Sequence, residues 1–126
     1  MPYLLDTTFV IDVLRGDEAA RRRLARLYAG GDRLYINEVV LCEAAYGARK
    51  LPDPDLVALV RPLEFVQPGP EATLEAGRWR AEARRRGRTL SLADSLIAAA
   101  AHAADATILT RNGRDFSLTP VPVEDY

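Results

Sequence analysis

The sequence predicts an α/β protein, a short-stranded central parallel sheet flanked by helices. Short apolar runs, Tyr3 to Leu5, Leu34 to Ile36 and Thr107 to Thr110, alternate with longer stretches whose apolar residues recur at helical spacing. That alternation is the mark of parallel β-α units. Nothing repeats and no stretch is low in complexity, and a length of 126 residues suits one domain over 1–126.

Taken in order, Tyr3 to Leu5 reads as the first strand, Thr7-Thr8 as the turn out of it, and Phe9 to Leu14 as a short helix stopped at Gly16. A second helix runs from about Asp17 to Tyr28, with acids at its start, Ala20, Leu24, Leu27 and Tyr28 on one face, and Gly30-Gly31 past its end. Leu34 to Ile36 is the second strand. Asn37 is placed to cap a helix from Glu38 to about Arg49, after which Pro52 and Pro54 impose a loop. A short helix over Asp55 to Arg61 and a third strand over Leu63 to Val66 follow. Glu71 to Arg86 is the longest helix and Gly87 sits at its C′ position. Ser91 opens a helix through about Ala103, Thr107 to Thr110 is the next strand, and Arg111 to Asp115 is the loop after it. Val121 to Val123 closes the chain as an edge strand, because Pro122 cannot complete a central ladder.

Composition narrows the function classes. Hydrophobic residues make up 48% and charged residues 28%, and no window approaches the roughly 20 apolar residues of a membrane span. The N-terminal segment has no basic stretch followed by a long apolar run, so the expectation is a cytoplasmic protein without a secretory signal. A net charge of -1 argues against a protein that coats nucleic acid through its overall field. The basic residues are nevertheless clustered, Arg21 to Arg23 with Arg26, and Arg78, Arg80, Arg84 to Arg86 with Arg88. Solvated helix faces account for either cluster alone. The single cysteine, Cys42, lies in a helical apolar pattern and reads as a small buried hydrophobe.

Three isolated acids carry the chemical argument. Asp6, Glu43 and Asp94 each interrupt a stretch that otherwise reads as core: Tyr3-Leu4-Leu5-Asp6, Val39 to Ala45, and Leu92 to Ile97. A buried, unpaired carboxylate costs several kcal/mol, so three of them suggest a shared divalent cation. Asp6 and the Asn112 to Asp115 loop each follow a parallel strand, which places them at the carboxyl edge of the sheet, where open α/β folds bind ligands. Glu43 and Asp94 come from helices that flank that crevice. Oxygen ligands of this kind suit Mg²⁺ or Mn²⁺, and phosphodiester hydrolysis is the chemistry such a site performs.

Each acid also has a purely structural explanation. Asp94 follows Ser91 at capping-box spacing, and Asp6 is placed to bond its own turn. Asp115 reads as structural or as a neighbour of the site, and Asp12 as a solvent-facing or turn-capping residue. Glu43 has the weakest such explanation, since it neither caps nor turns anything; helical phasing with Val39, Val40, Tyr46 and Gly47 points it inward.

Other chemistries lack parts. The one histidine, His102, lies in an alanine-rich helix, no G-x-S-x-G supplies a nucleophile, and no P-loop is present. A haloacid-dehalogenase-like phosphatase would use Asp6 as nucleophile, yet the second Asp two positions on is missing and Lys50 has no route to the site. A receiver-like, non-catalytic binding module with acids as caps and ion-pair partners is the remaining alternative.

With these residues in view, the chain resembles the PIN-domain ribonucleases, specifically the small VapC-type toxins of type II toxin-antitoxin pairs. The similarity rests on Leu4-Leu5-Asp6-Thr7-Thr8-Phe9-Val10-Ile11-Asp12, on Asn37 to Glu43, on Leu92-Ala93-Asp94-Ser95-Leu96-Ile97-Ala98-Ala99, and on Leu109-Thr110-Arg111-Asn112-Gly113-Arg114-Asp115-Phe116. Four motifs in this order cover nearly the whole chain. The resemblance implies a PIN-like, Rossmann-like three-layer sandwich and an endoribonuclease in which Asp6, Glu43 and Asp94 hold Mg²⁺, or Mn²⁺, that activates a water. Asp115 would join the catalytic acids, and Thr8, Thr110, Arg111 and Asn112 would be supporting or substrate-positioning residues. Members often carry an acid where this chain has Asn112, which leaves either Asn112 or Asp115 as the fourth site residue. The resemblance further implies an RNA substrate, a cognate VapB-type antitoxin and a homodimer. Leu56, Leu59, Trp79 and Tyr46 are the apolar residues available for a partner, with Tyr46 the one best read as core.

Overall fold

The computed structural model describes residues 1–126. Five short strands, β1 (Pro2–Leu5), β2 (Arg33–Ile36), β3 (Glu64–Phe65), β4 (Thr107–Leu109) and β5 (Val123–Glu124), form one sheet in the order β3-β2-β1-β4-β5. Every pairing is parallel. Six helices flank the sheet: α1 (Thr7–Leu14), α2 (Glu18–Ala29), α3 (Glu38–Tyr46), α4 (Pro54–Val60), α5 (Pro70–Arg85) and α6 (Leu92–Ala103). The chain leaves β1 toward β2 on one side and later returns to β4 on the other, so the strand order reverses at β1. Doubly wound sheets place their binding crevice at such a point.

The central strands are apolar throughout because both faces are covered: Leu4, Leu5, Ile36, Ile108 and Leu109 are fully buried. Helix α6 owes its close seat on β1 and β4 to small side chains, with Ala98, Ala99, Ala100 and Ala101 all buried. Asn37 ties that layer to its neighbour. Its side chain accepts from the Val40 amide at 3.0 Å as the N-cap of α3, and its Nδ2 donates to the Leu96 carbonyl of α6 at 3.3 Å. A helix cap and an interhelical bond thus depend on one buried amide.

Several expectations are corrected. Helix α3 stops at Tyr46 rather than near Arg49: Gly47, a poor residue for continuing a helix, takes the C-cap. The third strand shortens to Glu64–Phe65. The last strand moves two residues on, to Val123–Glu124: Pro122 has no donor, but its carbonyl accepts from the Ile108 amide at 2.9 Å, so it suits the strand's entrance. The loop after β4 contains a 3₁₀ turn over Gly113–Phe116 that drops Phe116 into the core. Cys42 is exposed rather than buried, and Tyr46, expected in the core, is 91% exposed. Conversely Trp79 and Leu56 are core residues, the indole meeting His102 edge to face. The buried arc of α3 is narrower than its apolar pattern suggests, which explains Cys42 and Tyr46: only Val40 and Ala44 of that helix are fully buried.

Asn37→Ala removes the cap of α3 and leaves the Leu96 carbonyl without its donor, for a destabilisation of about 1–3 kcal/mol. Urea unfolding followed by far-UV circular dichroism measures it.

Candidate active site

Asp6 sits at the carboxyl end of β1, where its amide continues the ladder by donating to the Leu109 carbonyl at 3.1 Å. It occupies the N-cap position of α1, yet its carboxylate caps nothing. That carboxylate instead accepts from the Thr110 hydroxyl at 2.7 Å and from the Thr8 hydroxyl at 3.2 Å. The Thr110 oxygen in turn accepts from the Asn112 amide at 2.9 Å. The side chain of Asp6 is therefore held by the ends of two adjacent strands, and the residue is only 4% exposed.

The other acids gather around it from three elements. Glu43, on α3, accepts a 2.7 Å hydrogen bond from the Thr7 hydroxyl, which joins α3 to the start of α1. It lies exposed at the mouth of the site rather than inside it, a correction to its expected burial. Asp94 stands in the first turn of α6, where its amide donates to the hydroxyl of the N-cap Ser91 at 3.0 Å. Asp115 is exposed on the 3₁₀ turn.

Electrostatics show that these carboxylates share a neighbourhood. Burial pushes Asp6 above its ordinary value and the Glu43 charge pushes it further, while the Thr110 and Thr8 hydroxyls and the Thr7 amide pull it down. Asp94 is raised by burial and by the charges of Asp115, Asp6 and Glu43, against the pull of the Ser91 hydroxyl. None of the four is ion-paired to an arginine or lysine.

An all-oxygen, mutually repelling, unpaired donor set has the chemistry of a hard-cation site. As they stand, however, no three of the acids lie together closely enough to hold one ion directly. The set fits a divalent cation that retains several waters and touches few carboxylates.

Of the remaining expected residues, Thr8 and Thr110 bond Asp6 itself, and Asn112 contributes its backbone amide to Thr110. Arg111 is committed elsewhere: it pairs with Asp17 at 2.9 Å and Asp12 at 3.3 Å and stacks on the Tyr126 ring, 4.5 Å from its centroid. Asp12, expected in solvent or capping a turn, accepts from the Tyr126 hydroxyl at 2.6 Å. Sequence reasoning missed Thr7, whose place between Asp6 and a second threonine was its only signal, and Tyr126, which carried none.

A model of the PIN domain matches residues 3–121. This chain belongs to the PIN-domain family. Within it the chain is 33% identical over 117 residues to ribonuclease VapC19 of Mycobacterium tuberculosis, covering 93% of this chain and 94% of that protein. It is also 27% identical, over 132 aligned positions, to the tRNA(fMet)-specific endonuclease VapC of Salmonella typhimurium, covering 100% and 98% of the two chains. Among solved structures, VapBC2 of Rickettsia felis bound to a promoter DNA fragment superposes with a TM-score of 0.83 at 25% identity, over 100% of this chain and 99% of that one. Membership in the VapC branch of the PIN family sets aside both the haloacid-dehalogenase and the receiver-like readings. PIN-domain ribonucleases generally depend on a divalent metal.

The raised pKa of Asp6 has a definite consequence for stability without metal. Its folded value lies above the ordinary 3.8, so the folded state holds the proton more tightly than the unfolded chain. Stability is therefore greatest below about 3.8 as far as this group is concerned, and falls as pH rises through the shifted value. In chelator at neutral pH, Asp6→Asn keeps an acceptor for both threonines, removes the buried charge, and raises the melting temperature above that of the unmodified protein, as differential scanning calorimetry would record.

Proposed function

We propose that this VapC-type PIN domain is the toxin of a toxin-antitoxin pair and an endoribonuclease that hydrolyses RNA phosphodiester bonds with a divalent cation, Mg²⁺ or alternatively Mn²⁺. The observation that carries this is the convergence of Asp6, Glu43, Asp94 and Asp115 at the strand-order reversal with no cationic partner.

Asp6 and Asp94 are the ligands proposed to touch the ion, with Glu43 reaching it through water, since Glu43 stands at the mouth and Asp6 at the floor. When bound, the metal lowers the pKa of a water and neutralises charge on the phosphate and the leaving oxygen. The protein's own residues do the rest. Thr110 and Thr8 fix the Asp6 carboxylate in one orientation, Ser91 fixes the turn that bears Asp94, and Thr7 orients Glu43. Asp115, rather than the amide Asn112, is the fourth acid, because its charge is felt at Asp94.

A VapB-type antitoxin, a homodimer and a cytoplasmic setting complete the proposal. The named relatives support it: curated VapC ribonucleases match nearly their full length, and the superposed Rickettsia structure is a VapBC complex. Tyr46 and Leu51, large and solvent-exposed beside the site's helix, are apolar surface available to a partner. No helix is long and apolar enough to cross a membrane.

Purified protein incubated with total RNA and Mg²⁺ or Mn²⁺ is expected to cut it, and chelator to abolish cutting. Asp6→Asn and Asp94→Asn each lower the rate by about 100-fold or more while leaving the fold intact by circular dichroism. Cleavage that survives chelation, or that either variant leaves unchanged, would overturn the assignment.

A further inference from the structure

The two arginine clusters of the sequence have different fates. In the first, Arg21 donates to the Val13 carbonyl, Arg22 pairs with Glu18, and Arg23 pairs with Glu124 while lying over the Tyr3 ring. Arg22 and Arg23 are thus neutralised by acids, Arg21 is tied to the backbone, and Arg26 makes no ion pair. In the second, Arg78 is neutralised by Glu75 and Glu82, but Arg84 and Arg88 make no ion pair and no side-chain hydrogen bond. Both are exposed, and with Arg80 they line a groove of about 300 Å³ between the end of α5 and the segment leading into α6.

The groove is built by local backbone. At the end of α5 the Arg88 amide returns to the Ala83 carbonyl and the Gly87 amide to the Arg84 carbonyl, both at 2.9 Å, which is a Schellman closure with Gly87 at φ +70. Past that reversal Arg88 lines the same groove as Arg84. Arg80 donates its Nε to the Leu90 carbonyl at 3.0 Å, which fixes its fork and leaves both terminal nitrogens without another partner. Thr89 and Leu90, which line the same groove, lead directly into Ser91, the cap that positions Asp94. Asp94 comes four positions after Leu90, so the Cα atoms of the two residues are within about 14 Å of each other at most.

We propose that Arg80, Arg84 and Arg88 form a phosphate track that receives the backbone of the RNA strand and delivers it to the acid cluster at Asp94. The proposal rests on the endoribonuclease reading of that cluster. Unpaired guanidinium groups in a row are matched to successive phosphates. The acids cannot hold the strand themselves, since they repel its backbone, so binding energy must come from a neighbouring cationic surface. Arg84 and Arg88 are positioning residues: they touch the strand away from the scissile bond.

Two measurements decide it. Binding of a fluorescein-labelled single-stranded oligoribonucleotide of about 12 nucleotides is followed by anisotropy in chelator, across a salt series. Cleavage kinetics are then measured with Mg²⁺ or Mn²⁺. In Arg84→Ala/Arg88→Ala, affinity falls about tenfold or more and the slope of log K against log salt shrinks by about 1.4, two contacts at roughly 0.7 each on a single strand. KM rises by a similar factor while kcat stays within about twofold. Arg84→Lys/Arg88→Lys restores most of the salt slope. Arg22→Ala/Arg33→Ala, which removes the same charge from paired positions, changes none of these.

Unaltered affinity and KM in the alanine pair, or an equal loss in the Arg22/Arg33 control, overturns the track. So does a variant that binds RNA normally but loses affinity for an acidic peptide, which would make the groove a protein-docking surface. If the unmodified protein leaves RNA uncut with metal present, the endoribonuclease reading fails, whereas the binding series in chelator still reports on the groove.

Discussion

A carboxylate sealed into the end of a parallel strand without a countercharge is the constraint from which this architecture follows. Asp6 is buried, and its only partners are hydroxyls and an amide. Hydroxyl donors and a guanidinium would both satisfy the oxygens, but with opposite results. An arginine would neutralise the charge and close the crevice, whereas threonines fix the geometry and leave the negative charge in place for a cation. The sheet makes this possible because β1 lies between β2 and β4, so the residue after β1 and the residue after β4 emerge side by side at the point where the strand order reverses.

The surrounding contacts keep those two strand ends in register. Tyr126 packs edge to face on Phe9 with ring centroids 4.7 Å apart, and its hydroxyl donates to Asp12. Arg111 bridges Asp12 and Asp17 and lies over the same ring. The chain's end, helix α1, the start of α2 and the loop after β4 are thereby joined in one network just behind the acids. Burial and the bond to Asp12 hold the Tyr126 phenol well above its usual range, so it remains a hydrogen-bond donor throughout the pH range in which an RNA-cleaving site operates. Arg111 thus ties the loop that bears Asn112 and Asp115 to helix α1 and the start of α2.

Much of this was legible in the sequence, and the limits of legibility have physical causes. The strands from Tyr3, Leu34 and Thr107 were visible because a strand covered on both faces must be apolar at every position. Asn37 and Ser91 announced their helices because a cap needs an oxygen at one defined place. Asp6 and Asp94 stood out because nothing local required an acid inside an apolar run. Glu43 was identified for a reason that proved incomplete: helical phasing with Val39, Val40, Tyr46 and Gly47 pointed it inward, but the fully buried arc of α3 is only Val40 and Ala44, so Glu43, Cys42 and Tyr46 are all exposed. The Tyr126 network was invisible because its members come from positions 12, 17, 111 and 126 and meet only after the sheet has formed.

The overall charge of -1 is a poor guide to what such a protein binds. At physiological ionic strength a charge is screened over about 8 Å, so a phosphate near the surface senses the few groups within that radius and not the sum over the chain. What matters is which charges remain free after folding. The acids that could have paired with the arginines of α2 and α5 have largely done so, at Glu18, Glu124, Glu75 and Glu82. Among the charges left unpaired are four carboxylates around the strand-order reversal and the Arg84 and Arg88 guanidinium groups at the far end of α5. A polyanionic strand with a bound divalent cation meets both halves favourably, the cation toward the carboxylates and the phosphates toward the arginines, whereas a strand without metal meets only one. Metal and RNA are on this view mutually reinforcing ligands, each lowering the electrostatic cost of admitting the other.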